Sequence, residues 1–340
     1  VIDAMLPFLE TDFGNPSSSH WYGIKPKKAV ETAREQVAGI LNCSPAEIIF
    51  TSGGTESNNH AILGMARQLK KKGNHIITSS FEHPAVFEVC GHLARNGFEI
   101  TYLPVSGEGL VNPGDMEAAI RPSTVLMSIM HANNEVGTVQ PLADISRIAH
   151  EHGIVLHTDA AQSIGKIPTD VQELGVELLS VAGHKVYGPK GIGALYVRSS
   201  LAPENFCLGA GQEKSRRAGT ENVMGIVGLG KACAIAQKDL DRNMARMTYL
   251  RDRLHEGLLS RLTGIQLNGH QKRRLPNTAS LSFQGLEANR ILEEIGLEVA
   301  ASAGAACHAD TVELSHVLIA MGVPVDWAKG TLRFSVGKMT

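Results

Sequence analysis

The feature that most constrains this chain is the alternation of short β-branched runs with helical patterns over its first two thirds. Strands are expected at residues 47–51, 75–79, 99–103, 124–130, 154–157, 178–182 and 194–197. Helices are expected between them, from a turn at 52–57 to about residue 72, from Pro84 onward and at 139–153. Because such alternation is typical of parallel strands joined by helical crossovers, it predicts an α/β fold with a mostly parallel sheet flanked by helices.

The pattern changes at about Met224, which indicates a second and smaller domain. A long helix-prone stretch covers 231–262, and it is followed by strands at 278–283, 299–301 and 332–336 and helices at 287–295 and 312–321. We predict a large domain over 15–223 and a smaller α+β domain formed by 1–14 and 224–340. The chain opens at Val1 within a helical pattern over 1–9 and closes on a strand-like run, so we expect both termini to be incomplete.

Charge and cysteine content argue against several classes of protein. Lysine and arginine number 32 and aspartate and glutamate 34, and the net charge of −2 favours neither nucleic acid nor an anionic membrane as a partner. The cysteines contain no Cys-x-x-Cys, which argues against a disulfide framework and a clustered metal site; they are Cys43, Cys90, Cys207, Cys233 and Cys307. No apolar run approaches the roughly 18 residues of a membrane span. We expect a cytoplasmic protein, or one from an organelle interior after loss of a transit segment, that acts on a small molecule.

Polar residues directly after the predicted strands are the first candidates for a site, because open α/β sheets bind ligands beyond the carboxyl ends of their strands. Gly53-Gly54-Thr55 opens a helix and suits a phosphate, although a Gly-Gly turn is more often only a turn. Asp159 and Lys185 each follow an apolar strand, and they form either an ion pair or two parts of a site. Pyridoxal 5′-phosphate has three groups that such a site could bind. The glycine turn suits its phosphate, the carboxylate its pyridinium nitrogen and the lysine its aldehyde.

Short motifs follow one another along the whole chain: 13–18 (FGNPSS), 50–58 (FTSGGTESN), 82–83 (EH), 131–137 (HANNEVG), 157–162 (HTDAAQ), 183–191 (GHKVYGPKG), 211–213 (GQE), 217–222 (RAGTEN) and 302–307 (SAGAAC). In this order they resemble the cysteine desulfurase and selenocysteine lyase family, the NifS-like members of the class V aminotransferases. The resemblance implies pyridoxal-phosphate fold type I and a homodimer.

The resemblance also implies roles for individual residues around the cofactor. Lys185 matches the lysine that bonds to the cofactor aldehyde, and Asp159 the carboxylate that keeps the ring nitrogen protonated. His83 matches the histidine that stacks on the ring and moves protons. Gln162 matches the residue at the phenolic oxygen of the cofactor, and Asn134 the residue near that oxygen and the substrate.

Further matches concern the phosphate and the substrate. Expected phosphate contacts are Gly54, Thr55 and His184, and Thr220 matches a threonine that reaches a phosphate across the dimer interface. Arg333 matches the arginine that binds the substrate carboxylate through two nitrogens. The chain departs from the family at Ala182, where a serine is frequent, so one phosphate hydrogen bond is expected to be missing.

Cys307 decides which reaction the resemblance implies. A free cysteine without context is more often buried and inert, but this position in the family holds the thiol that takes the substrate's sulfur as a persulfide. Neighbouring His308 would favour the thiolate. Segments 304–310 and 322–326 look closer to selenocysteine lyases than to general desulfurases. We therefore expect conversion of L-cysteine, L-selenocysteine or both to L-alanine.

Partners and alternatives follow from the same resemblance. The sulfur is expected to pass to an acceptor protein in sulfur metabolism, such as iron–sulfur cluster assembly. One alternative is another class V enzyme, an aminotransferase or lyase, against which Cys307 argues. The other is an inactive scaffold of the same fold, against which intact Lys185, Asp159 and His83 argue.

Overall fold

The computed structural model describes residues 1–308 and 311–340, with the backbone but not the side chains of 305–308 and 311–313. A seven-stranded sheet in the order β1-β7-β6-β5-β4-β2-β3 forms the centre of the fold. Its strands are β1 (Ile48–Thr51), β2 (His75–Ser79), β3 (Glu99–Leu103), β4 (Thr124–Ser128), β5 (Val155–Asp159), β6 (Leu178–Ala182) and β7 (Gly193–Val197). The prediction of a mostly parallel sheet is confirmed.

Strand β7 is the exception, since it runs antiparallel to both β6 and β1. Only residues 183–192 separate β6 from β7. A parallel return needs a crossover of about a dozen residues or more, usually a helix, whereas this short connection can only reverse the chain. Strand β7 is thus the antiparallel member of a mostly parallel sheet.

Helices cover both faces of the sheet. They are α1 (Ile2–Met5), α2 (Pro7–Glu10), α3 (Trp21–Leu41), α4 (Gly54–Leu69), α5 (Pro84–Arg95), α6 (Pro113–Ala118), α7 (Leu142–Glu151), α8 (Val171–Leu174), the single turn α9 (Gln212–Ser215), α10 (Val223–Lys238), α11 (Leu240–Leu259), α12 (Ala288–Ile295), α13 (His316–Ala320) and α14 (Val325–Ala328). Successive side chains of a strand point to opposite faces. Ile49 therefore packs with α4 and α5, while Ile48 and Phe50 pack with α3, α7 and α10.

The C-terminal part of the chain forms a second, antiparallel sheet. Its strands are β8 (Ile265–Asn268), β9 (Thr278–Phe283), β10 (Ser302–Ala303) and β13 (Thr331–Ser335), in the order β10-β13-β9-β8. A two-stranded sheet follows β10 and is formed by β11 (Ala305–His308) and β12 (Thr311–Leu314). The predicted division at 15–223 stays a prediction.

Several predicted elements differ from the structure at their ends. The helix expected over 231–262 occurs as α10 and α11, separated at Asp239, which has non-helical backbone angles. The helical pattern at 1–9 is divided at Pro7, because proline lacks the N–H that a continuous helix needs. The helix expected over 312–321 begins only at His316, because Thr311–Leu314 pairs as strand β12. The strand expected at 299–301 lies instead at Ser302–Ala303.

Within the described part of the chain, no helix is both long and apolar enough to cross a bilayer.

Candidate active site

A cavity of about 350 Å³ lies at the carboxyl ends of β5 and β6, beside the start of α4. Nine of the site residues predicted from the sequence line this cavity: Gly54, Thr55, His83, Asn134, Asp159, Gln162, His184, Lys185 and Arg333. Thr220 is exposed and lies outside the cavity. The side chains of Cys307 and His308 lie outside the described residues, as do Ala309 and Asp310 of the segment 304–310.

The glycine turn after β1 forms one end of the cavity. Gly53 has φ of +154° and ψ of −178°, a backbone conformation that essentially only glycine adopts. It leads into α4, whose first N–H groups have no acceptor within the helix and no side-chain cap. A Cβ at Gly54 would lie only 3.1 Å from the Cβ of Ala182. The turn therefore presents free N–H groups and a positive helix end to a phosphate-sized anion.

Asp159 lies at the end of β5 with its carboxylate buried beside the cavity. Its Oδ2 accepts a hydrogen bond from Nδ2 of Asn58 at 2.7 Å, and its Oδ1 accepts one from the N–H of Ala161 at 2.9 Å. Burial raises the pKa of Asp159 above its usual value, against the opposing effects of these hydrogen bonds and of His83 and Lys185. A ligand that brings a positively charged N–H would compensate this buried carboxyl group.

Asn58 is a residue that sequence reasoning missed. It is buried on α4, one helical turn beyond Gly54, and lines the cavity with Oδ1 unpartnered. The available signal was its place at the end of the FTSGGTESN motif. Nothing in the local pattern indicated that α4 would bring it to Asp159, which is 101 residues away in the chain.

Lys185 lies on a 3₁₀ turn (Gly183–Val186) directly after β6. It makes no ion pair with Asp159 within 4.0 Å, so the ion-pair interpretation of these two residues is not supported. Desolvation and then the positive charge of Arg333 lower the pKa of Lys185 below its usual value, while Asp159 opposes that shift. The amine is thereby closer to its neutral, nucleophilic form than a lysine with an ordinary pKa would be.

Arg333 approaches the cavity from β13 of the second sheet. Its Nη1 donates to the carbonyl of Asn134 at 2.8 Å, and its Nη2 donates to Oγ of Ser302 at 3.1 Å. Its Nε is buried without a hydrogen-bond partner. These contacts fix the plane of the guanidinium and leave donor capacity for an anion, which suits a carboxylate.

His83 and His184 lie at the more open part of the cavity. Nδ1 of His83 accepts the N–H of Ala85 at 3.0 Å, so the neutral ring carries its proton on Nε2. Desolvation and then the charges of Lys185, Lys190 and Lys166 lower the pKa of His184. A histidine at each position can accept or donate a proton at a ring nitrogen.

Glu82 is a second residue that sequence reasoning left without a role. It is fully buried, and its Oε1 accepts from Oγ of Ser79 at 2.8 Å and from the N–H of Met130 at 2.9 Å. Its Oε2 has no partner. Burial raises the pKa of Glu82 to about 8, so the carboxyl is mostly protonated at pH 7. Its hydrogen bond to the N–H of Met130 joins the residue before His83 to the segment that follows β4.

Comparison with known proteins identifies the relatives of this chain. The family model described as aminotransferase class-V matches residues 1–340. The chain is 50% identical to the cysteine desulfurase IscS of Dictyoglomus turgidum, over 100% of this chain and 86% of that protein. It is 43% identical to the cysteine desulfurase of Homo sapiens, over 100% of this chain and 75% of that protein.

Solved structures show the same fold. A NifS-like protein superposes with a TM-score of 0.93 at 38% identity, covering 99% of this chain and 90% of that one. SspA in complex with cysteine superposes with a TM-score of 0.85 at 39% identity, covering 99% of this chain and 94% of that one. The predicted fold type I architecture is confirmed. The chain therefore belongs to the class-V aminotransferase family and, within it, to the NifS-like cysteine desulfurases.

Proposed function

We propose that this protein is a pyridoxal-phosphate-dependent cysteine desulfurase that converts L-cysteine to L-alanine and takes the sulfur onto Cys307. The observation that carries the proposal is the convergence of Lys185, Asp159 and Arg333 on one cavity beside the glycine turn. The names of the relatives favour cysteine over selenocysteine as the substrate.

The residues around the cavity fit pyridoxal phosphate. The N–H groups at the start of α4, with Thr55 and His184, would hold the phosphate, and the close packing of Gly54 against Ala182 supports this assignment. Asp159, held by Asn58 and the N–H of Ala161, would accept a hydrogen bond from the protonated ring nitrogen. When bound, the cofactor supplies an electron sink for the bond that breaks at the substrate's α-carbon.

Proton movements fall to two side chains. Lys185 would bond to the cofactor aldehyde and, once displaced by the substrate amine, take the α-proton at Nζ. The lowered pKa of Lys185 favours the neutral amine that this requires. Nε2 of His83, at the open part of the cavity, would exchange protons with Nζ of Lys185 and the substrate's α-carbon.

Arg333 would bind the substrate carboxylate. Its buried Nε is unpartnered, and its two other nitrogens are fixed by the Asn134 carbonyl and the Ser302 hydroxyl. Asn134 follows β4 of the large sheet and Ser302 lies on β10 of the second sheet, so the carboxylate site forms only when the two sheets are packed together. Asn134 lines the same cavity and would contact the substrate and cofactor.

Cys307 would complete the reaction. The bond between the substrate's Cβ and its sulfur breaks, a bond forms between that sulfur and Sγ of Cys307, and the carbon keeps the electron pair and gains a proton, which gives alanine. Strand β10 pairs with β13 so that Ser302 lies opposite Arg333. Cys307 follows Ser302 by five residues, a stretch that spans at most about 17 Å, which supports a thiol that can reach the cavity.

A homodimer and a sulfur-acceptor protein are parts of the same proposal. Thr220 is exposed and does not line this chain's own cavity, as expected of a residue that serves a partner's phosphate. Exposed aromatic side chains, including Phe13 and Trp21, offer an apolar surface for association. We propose that the enzyme is cytoplasmic.

Absorbance and product assays test the proposal. The purified protein is expected to show bound-cofactor absorbance and to form alanine and sulfide from L-cysteine in equal amounts in the presence of a thiol reductant. Cys307→Ala is expected to lose turnover while keeping the absorbance, and Cys233→Ala, at a buried cysteine of α10, is the matched control. Absence of cofactor absorbance in folded protein would refute the whole proposal, and full turnover by Cys307→Ala would refute the persulfide step.

A further inference from the structure

Lys166 is a buried amine beside the cavity that the proposed function does not use. It is only 9% exposed and follows β5 in a tight turn. No carboxylate lies within 4.0 Å of its Nζ among the residues that the structure describes. A lysine buried without a countercharge is unfavourable unless its hydrogen bonds are satisfied, so its contacts require a reason.

Both hydrogen-bond acceptors of Lys166 belong to one residue. Its Nζ donates to the backbone carbonyl of Gln162 at 2.8 Å and to the side-chain Oε1 of Gln162 at 3.2 Å. A lysine offers only donors when charged, so the amide oxygen of Gln162 must be the atom that faces it. The NH₂ group of the amide is then turned away from Lys166, and Gln162 lines the cavity.

We propose that Lys166 is a positioning residue that locks the Gln162 amide so that Nε2 donates a hydrogen bond to an anionic oxygen of the bound cofactor. The inference rests on the proposed function, because it takes the phenolic oxygen of pyridoxal phosphate as the acceptor. Without Lys166 the amide is free to rotate, and either its oxygen or its nitrogen can face the ligand. The lysine thus ensures that a donor faces the oxygen.

The electrostatics of the turn agree with this assignment. Burial, followed by the charges of Lys185 and Arg333, lowers the pKa of Lys166 to about 7. A neutral amine keeps two N–H donors, which suffice for the two oxygen atoms of Gln162. The lock is therefore strict while the amine is charged, because only then does Lys166 offer donors alone.

The test measures the pH midpoint of the bound cofactor's absorbance in the loaded enzyme. Lys166→Met keeps the side-chain volume and removes the donors, and the midpoint is expected to rise by about one pH unit, since the anionic oxygen loses a charge-assisted hydrogen bond. Gln162→Ala is expected to give a similar rise. The midpoint of the double variant is expected to be no higher than that of Gln162→Ala alone, because the lysine acts through the glutamine. Lys231→Met, at an exposed lysine of α10, is the control and is expected to leave the midpoint unchanged.

A second variant makes the test independent of the stability of Lys166→Met. Gln162→Glu keeps the bond to Lys166 but replaces the donor with a carboxylate oxygen, so the midpoint is expected to rise by more than in Gln162→Ala. The other titratable groups around the cavity are unchanged in every variant: His83, Asp159, His184, Lys185 and Arg333.

Three results would overturn the inference. The first is an unchanged midpoint in folded, loaded Lys166→Met, and the second is an unchanged midpoint in Gln162→Glu. The third is that Lys166→Met raises the midpoint as much in the Gln162→Ala background as it does in the unmodified enzyme. That result would mean that the lysine acts by its charge alone. No bound-cofactor absorbance in the unmodified enzyme would refute the proposed function itself, and these cases are therefore distinguishable.

Discussion

Replacing Glu82 with glutamine is expected to remove a pH-dependent loss of stability from this protein. The Glu82 carboxyl is fully buried, and one of its oxygens has no hydrogen-bond partner. Burial raises the pKa of Glu82 from the ordinary 4.5 to about 8 in the folded state. Between these values the native state binds a proton that the unfolded state has released, so the free energy of unfolding falls as the pH rises.

The magnitude follows from the two pKa values. Between pH 5 and pH 8 the native carboxyl is mostly protonated and the unfolded one mostly ionised, and at about 1.36 kcal/mol per pH unit the loss reaches about 3 kcal/mol. Glutamine cannot ionise and carries no such loss. The stability of Glu82→Gln relative to the unmodified protein should therefore increase by about 3 kcal/mol over this range.

Urea unfolding at the two pH values, followed by far-ultraviolet circular dichroism, measures this difference. A constant excess of pyridoxal phosphate is kept in all samples, so that its contribution largely cancels between variants. Glu88→Gln, at an exposed glutamate of α5, is the control and should show no change in relative stability with pH. If the difference between Glu82→Gln and the unmodified protein is the same at pH 5 and pH 8, Glu82 is not a neutral buried acid and the argument fails.

Other substitutions test the cavity and its support. A Cβ at Gly54 would lie 3.1 Å from its nearest neighbour, so Gly54→Ala should weaken cofactor affinity roughly tenfold in an absorbance titration, whereas Gly257→Ala, with open space around it, should not. Arg333→Lys should raise KM for L-cysteine roughly tenfold or more in an alanine assay, because an ammonium cannot form two parallel bonds to a carboxylate; unchanged KM would contradict the assignment. Arg34→Met leaves the buried carboxylate of Glu213, now bonded to Arg34 at 2.7 Å, without its cation. It should lower the urea-unfolding free energy by about 3–5 kcal/mol, and a loss below about 1 kcal/mol would count against a buried ion pair.

Much of the large sheet could be predicted from the sequence because its elements have local signatures. The runs at β2, β3 and β6 are short and contain β-branched residues, and their predicted bounds agree with the structure. The start of α5 follows from Pro84, since proline suits a first helical position. The placement of Asp159 and Lys185 at one edge follows from the general rule that parallel strands end on the same side.

Other features depend on contacts between distant parts of the chain. The alternating pattern alone did not predict the reversal of β7, although the strands expected at 178–182 and 194–197 lie too close together for a crossover. The division of the long helix at Asp239 has no proline or glycine to indicate it. The position of β10 is fixed by pairing with β13, and local propensity contains no information on that partner.

The sequence by itself determined the family, the succession of most strands and helices along the chain, and nine of the residues that line the cavity, because motifs and periodicity are local properties. Only the tertiary structure decided how those residues are held: Asn58 on Asp159, the Asn134 carbonyl on Arg333, and Lys166 beneath the Gln162 amide. The first two join residues 101 and 199 positions apart. The contact between Lys166 and Gln162 is local in the chain, but its effect depends on the burial of the lysine and on which side of Gln162 faces the cavity. Burial and orientation are set by the packing of the two sheets, and no run of neighbouring residues encodes them.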